Sequence, residues 1–235
     1  MSKTIQFDKV SKQYQIGDSV FYALHDASFQ IKEGTFVVIL GPSGAGKSTL
    51  LNLLGGMDTV SGGSITFLDG QAVSDYSDSE LTKYRAEEVG IVFQFYNLIP
   101  SLTAYENVAL MGNIKADIMD PEEALASVGL VRQINQFPSQ MSGGEQQRTS
   151  IARAIVKKPR LLLCDEPTGA LDTNTGKEVL KLLQDMSRNN KRTVVMVTHN
   201  SLFAEVADQV IYVKNGTIEK TEYNEHPCDA KEVNW

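Results

Sequence analysis

Apolar and polar positions divide the chain into short alternating stretches near the N-terminus, uninterrupted apolar runs further on, and helical periodicity between them. From Ile5 to Ile31 the two classes alternate in pieces around the turn Gln15-Ile16-Gly17-Asp18, the pattern of half-buried antiparallel strands. Phe36 to Leu40 has no polar member; a glycine-rich turn follows, and Lys47 to Leu54 then reads as a helix. Gly62-Gly63, Ser64 to Leu68 and Asp69-Gly70 give a turn, a short strand and a second turn. Between Asp78 and Leu130 the pattern is mainly helical, in pieces at Ser79-Glu80 to Glu88, Ala104 to Met111 and Pro121 to Val128. Strand and helix alternate beyond it: helix Glu145 to Val156, strand Leu161 to Cys164, helix Thr175 to Met186, strand Thr193 to Val197, and closing strands Gln209 to Val213 and Thr217 to Lys220. All-apolar strands are buried on both faces, and this alternation predicts a mostly parallel sheet between helices. The expected fold is α/β: one domain over residues 1–222 with an N-terminal antiparallel β subdomain and an inserted helical lobe at about 78–157, then a tail, 223–235, expected to fray.

Composition narrows this picture. A chain of 235 residues without repeats, low-complexity tracts or linkers suits one domain with an inserted lobe. A formal charge of −7 with no basic block argues against a nucleic-acid partner. Cys164 lies in an apolar run and Cys228 in a polar tail, which suggests neither a disulfide nor a metal site, and a reducing cytosol is expected. The N-terminal MSKTIQF lacks a signal-peptide core, and no apolar segment approaches the ~20 residues that cross a bilayer. Any membrane role is therefore expected to come through a partner.

The richest chemistry lies at the ends of the apolar runs. Gly41-Pro42-Ser43-Gly44-Ala45-Gly46-Lys47-Ser48-Thr49 has the form G-x-x-x-x-G-K-[ST] between a strand and a helix, which aims backbone N–H groups and a helix dipole at a polyphosphate. Lys47 would sit between the outer phosphates and the Ser48 hydroxyl would ligate Mg²⁺. Leu161 to Cys164 delivers Asp165 and Glu166 to the carboxyl end of a buried strand, where open sheets bind ligands. Asp165 would hold the metal's hydration shell and Glu166 would orient or deprotonate the attacking water; the alternative is a helix N-cap followed by an acid. Gly90 to Phe93 delivers Gln94, a second candidate metal ligand, and Thr193 to Val197 delivers Thr198 and His199, the latter a candidate partner for the terminal phosphate. An isolated Gln or His is more simply a hydrogen-bonded structural residue, but four buried strands that carry polar residues to one rim favour the nucleotide role.

Met141-Ser142-Gly143-Gly144-Glu145-Gln146-Gln147-Arg148 is a different signal. Ser142 and Glu145 form a capping box, with Pro159 beyond the helix end. The box does not explain two glycines in a first helical turn, where glycine is costly. Exposed N–H groups there would make a second anion site, and since the phosphate loop already covers one side of a nucleotide, the expected occupant is the nucleotide of a second copy of the chain.

Together these segments resemble the ATP-binding cassette ATPases over nearly the whole chain. The phosphate loop matches Gly41 to Thr49, the signature Met141 to Glu145, the second nucleotide motif Leu161 to Glu166 and the switch histidine His199. The resemblance implies a P-loop NTPase core, ATP and Mg²⁺ as cofactors, Tyr14 as the adenine-stacking aromatic, and a dimer-contact loop at Gly169-Ala170-Leu171-Asp172. Met141 stands where the family has Leu, and Glu145 where it has Gln; the carboxylate is acceptable beside phosphates only if it turns back onto the helix. The runs Phe93 to Ala104 and Glu166 to Gly169 look like the bacterial subgroup of macrolide exporters, lipoprotein-releasing complexes, antimicrobial-peptide resistance transporters and the cell-division ATPase. That implies a homodimer on the cytoplasmic face of the plasma membrane, with a transmembrane permease subunit docking near residues 93–104; the same run also reads as lobe core. Three other readings stay open: a regulatory ATPase driving a cell-wall complex without transport, a soluble DNA-repair ATPase, and a P-loop kinase. The DNA-repair type would need heptad arms, Cys pairs or a basic patch, which the chain lacks. A kinase would leave Ser142-Gly143-Gly144 and His199 without roles.

Overall fold

A computed structural model describes residues 3–233, with Ile16 described through its backbone alone. Met1, Ser2, Asn234 and Trp235, at the two ends of the sequence expectations, lie outside the described residues. Strands β1 (Thr4–Ile16) and β2 (Ser19–Lys32) form the expected antiparallel pair, and β4 (Gly62–Thr66) adds to the other edge of β1. The second sheet is six-stranded, in the order β5-β6-β7-β3-β8-β9. It consists of β3 (Phe36–Leu40), β5 (Val89–Val92), β6 (Leu161–Asp165), β7 (Thr193–Thr198), β8 (Gln209–Lys214) and β9 (Thr217–Tyr223). All neighbours in it run parallel except β8 and β9.

The apolar runs are explained by two cores, one on each face of this sheet. In β3, Phe36, Val38 and Leu40 belong to one core and Val37 and Ile39 to the other; β6 and β7 alternate likewise. Burial on both faces leaves these strands no polar position until their carboxyl ends. One core is shared with α1 (Lys47–Leu54), the antiparallel sheet and Leu81 and Tyr84 at the start of the lobe, the other with the rest of the lobe and the long helix α6 (Thr173–Asn190).

The lobe helices begin where side chains satisfy their free N–H groups. α2 (Asp78–Glu87) and α3 (Ala104–Ala109) carry capping boxes, Ser77 with Glu80 and Thr103 with Glu106. α4 (Pro121–Ser127) starts at Asp120 with proline in its first turn. α5 (Gly143–Ile155) has Ser142 as N-cap, so both glycines lie inside the helix, two residues ahead of the Glu145 start read from the sequence. The cap outweighs glycine's poor propensity there.

The tail corrects a sequence expectation. Residues 227–233 pack against α6 rather than fray: Ala230 and Val233 are fully buried. Gln184 of α6 donates to the Cys228 carbonyl at 2.8 Å and accepts from the Ala230 N–H at 3.1 Å, while Arg188 donates to the Pro227 carbonyl at 3.0 Å. Periodicity could not reveal this, because much of the hold comes from side chains of α6 meeting backbone groups of the segment.

Candidate functional site

The carboxyl ends of β3, β5, β6 and β7 open on a cleft of about 540 Å³. β3 ends at Leu40, and the chain turns through Gly46, at φ 103°, into α1. A Cβ on Gly46 would stand 2.5 Å from the Ala23 carbonyl oxygen, so both its dihedral and its surroundings demand glycine. Ser43, Gly44, Gly46, Lys47, Ser48 and Thr49 line the cleft. Three members of the same motif do not: Gly41 packs against the Val213 carbonyl, Ala45 is buried, and Pro42 supplies a carbonyl to Lys47. The Lys47 ammonium donates to the carbonyls of Gly41 at 2.8 Å and Pro42 at 3.0 Å, which holds it over the loop.

Gln94, Asp165, Glu166 and His199 line the same cleft. Burial, and then the neighbouring Glu166 carboxylate, push the Asp165 carboxyl above its usual range, against the opposing pull of Lys47 and a hydrogen bond from Ser48. A charge in such a place favours a cation beside it. Asp165 is not a helix cap, since it ends β6 and the next helix begins only at Thr173, capped by Asp172; Glu166 occupies the left-handed region, φ 46°, immediately after β6. Its Oε2 accepts from the Thr198 hydroxyl at 3.1 Å and its Oε1 lies 2.9 Å from His199 Nδ1, so β7 fixes the carboxylate that β6 delivers. Backbone strain of this kind persists where surrounding bonds over-determine it.

Tyr14 also lines the cleft, together with Phe21 and Ala23 of β2, which sequence reasoning missed. Phe21 is Tyr14's cross-strand partner in the β1–β2 register. The signal was available in the hairpin, since opposite residues share one face of a ladder.

Ser142, Gly143 and Gly144 lie outside this cleft. Ser142 Oγ accepts from the Glu145 N–H at 3.3 Å, and Glu145 returns a carboxylate oxygen to the Ser142 N–H at 2.8 Å. Gln133 holds the other Glu145 oxygen at 2.9 Å, so the carboxylate does turn back onto its helix. Gly144 has a packing reason as well, since a Cβ there would meet Thr175 Cγ2 at 2.1 Å. Between cleft and signature runs the turn at Tyr96 and Asn97, both left-handed at φ 57° and 51°. Arg153 of α5 donates to their carbonyls at 2.9 and 2.6 Å, and the Tyr96 hydroxyl abuts Gly143. In the run 93–104, Phe95 is 77% exposed and Ile99 37%, whereas Ala104 is buried. Asn107 gathers the end of that run, bonding the backbone of Ile99, Leu102 and Thr103. Phe93 lines a separate groove of about 230 Å³ with Ile91, Met111, Arg85, Arg153 and Lys157.

The family model described as ABC transporter matches residues 24–169, over half of the chain and including the phosphate loop, signature and Asp165-Glu166. The chain belongs to the ABC transporter family. It is 43% identical over 227 residues to the uncharacterized ABC transporter ATP-binding protein MJ0796 of Methanocaldococcus jannaschii, covering 93% of this chain and 96% of that one. It is 41% identical to the uncharacterized ABC transporter ATP-binding protein YknY of Bacillus subtilis, over 91% and 94% of the two chains. A Mycoplasma pneumoniae relative, 41% identical over 234 residues, is longer: this ABC transporter family member spans 50% of it. Among solved structures, the dimeric post-hydrolysis state of the ATP-binding cassette MJ0796 bound to ADP and Pi superposes with a TM-score of 0.85 at 41% identity, over 93% of this chain and 98% of that one. The cassette fold assigned from the strands and lobe is that of these structures. Among the described residues no helix of this family member is long and apolar enough to cross a membrane.

Proposed function

We propose that this chain is the ATP-hydrolysing, nucleotide-binding subunit of a bacterial ABC transporter complex, which closes on MgATP as a homodimer and drives a separate membrane subunit in export or mechanotransmission. The observation that carries this reading is the convergence in one cleft of the phosphate loop, Asp165, Glu166 and His199 from different strands. Lys47 would neutralise the outer phosphates, and Tyr14 would stack on the base. Glu166, held by Thr198 and His199, would accept the proton of the attacking water. His199 Nδ1 is engaged by Glu166, so the other ring nitrogen is the one left for a phosphate oxygen.

The donor set fits Mg²⁺. Ser48, Gln94 and Asp165 offer hard oxygen ligands in one cleft, and Asp165 is a carboxylate whose charge a cation would relieve. Mg²⁺ takes few protein ligands where substrate phosphates supply the rest, and a donor set of this size suits that arrangement. When bound, the ion supplies charge neutralisation at those phosphates.

Ser142-Gly143-Gly144 outside the cleft, and the dimeric state of the MJ0796 structures, support a nucleotide sandwiched between two copies. The exposed Phe95 and Ile99 beside the groove at Phe93 support docking of a permease near 93–104, at the cytoplasmic face of the plasma membrane. The test is Glu166→Gln. Light scattering with MgATP should find a stable dimer of this variant with turnover reduced by at least about a hundredfold, nucleotide binding being retained. A monomer that still hydrolyses ATP at the parent rate overturns the assignment.

A further inference from the structure

β1 brings Tyr14 to the mouth of the cleft, but the group that fixes its ring comes from another element. The Tyr14 hydroxyl donates to Asp58 Oδ2 at 2.7 Å. Asp58 lies in the turn that follows α1, the helix that begins at Lys47, and not in β1. Its Oδ1 accepts from the Thr59 N–H at 2.7 Å and from the Lys12 ammonium. Lys12 in turn reaches the Thr59 carbonyl at 2.7 Å and lies over the Tyr14 ring, 5.1 Å from its centroid. Lys12 is only 8% exposed, whereas Tyr14 is 38% exposed and lines the cleft. A tyrosine held at its Cβ alone turns about two torsions; one held also at its hydroxyl presents a fixed plane. Stacking needs that plane, and ordering it in advance removes an entropic cost from binding.

We infer that Asp58, braced by Lys12, is a positioning residue for the base platform: it locks the plane of Tyr14 and so sets how tightly the purine is held, without touching the nucleotide. This rests on the reading of Tyr14 as the stacking residue. A mere brace between β1 and the turn after α1 would affect stability alone, whereas a positioning residue affects ligands that carry a base and spares those that do not.

The experiment is titration calorimetry of the full chain with ADP and with pyrophosphate, which shares the diphosphate and lacks the base. Asp58→Ala should weaken ADP about 3- to 10-fold and pyrophosphate by less than about twofold. Asp58→Asn, which keeps an acceptor for the Tyr14 hydroxyl, should recover part of the ADP affinity. Equal weakening of both ligands, or of neither, overturns the inference. Should Asp58→Ala fail to fold, Tyr14→Phe removes the Asp58 link, along with the hydroxyl's bond to Thr49, by deleting one oxygen; it should weaken ADP selectively, and unchanged ADP affinity overturns the inference. Tyr14→Ala separates the two levels. If it leaves the ratio of ADP to pyrophosphate affinity unchanged, the stacking role itself fails; if it lowers the ratio while Asp58→Ala does not, the positioning role alone fails.

Discussion

Gly144 has room for a hydrogen and nothing larger. Thr175 Cγ2 occupies the place of a Cβ, and rotating that threonine away would break its hydrogen bond to Asp172. Gly144→Ala should therefore destabilise by about 1–3 kcal/mol, and Thr175→Ser, which deletes the obstructing methyl, should restore most of the loss; the urea midpoints of the two single variants and the double variant decide this. The sequence assigned this glycine to anion binding because the capping box left it unexplained. Its packing partner lies 31 positions away in the chain, beyond the reach of local pattern. Lys157 is a second residue whose state the sequence hides. Burial, with the nearby Lys115, pushes its ammonium down to about 8, while it donates to the carbonyls of Arg85 and Val89. Because the folded value lies below the unfolded one, the unfolded chain binds more protons between the two values, and this group's contribution to stability rises with pH from about 8 towards 10. Lys157→Met should flatten that part of the stability profile, as read from urea unfolding at pH 8, 9 and 10.

The turn at Tyr96 and Asn97 is an element made by another element. Two consecutive left-handed residues without glycine are unfavourable alone, and Arg153 fastens both carbonyls from α5. The turn begins two residues beyond Gln94 and touches Gly143, so it joins the cleft to the signature helix. Arg153→Ala should cost about 1–3 kcal/mol of stability, and ATP turnover should fall further than nucleotide affinity; a proportional loss of both would locate the effect in binding. Elements of this sort were the least legible. Helices with Ser-x-x-Glu or Asp-Pro starts were readable to within a residue or two, because their caps are local, as at Ser142 and Asp120. The buried strands were readable because each has a core on both faces, as Phe36 and Val37 demonstrate. The place of Phe21 in the cleft and the grip of Arg153 depend on contacts between distant segments, for which the sequence carries no periodic mark.

At the scale of the whole molecule, residues 227–233 complete the core rather than trail from it. Ending the chain after Asn224 would uncover the surface beneath Val233 and leave the buried Gln184 amide without its Cys228 and Ala230 partners. Loss of about 2–5 kcal/mol is expected from those terms together, and thermal unfolding of the shortened chain should begin at a clearly lower temperature. The strand order carries another consequence. The segment holding α3, α4 and α5 leaves the sheet from β5 and re-enters at β6, and these two strands are neighbours at one border of the sheet. The lobe is thus mounted like a door on a single jamb. Its chain connections therefore reach the sheet at that border, and not at β3 or β7, which carry the phosphate loop and His199.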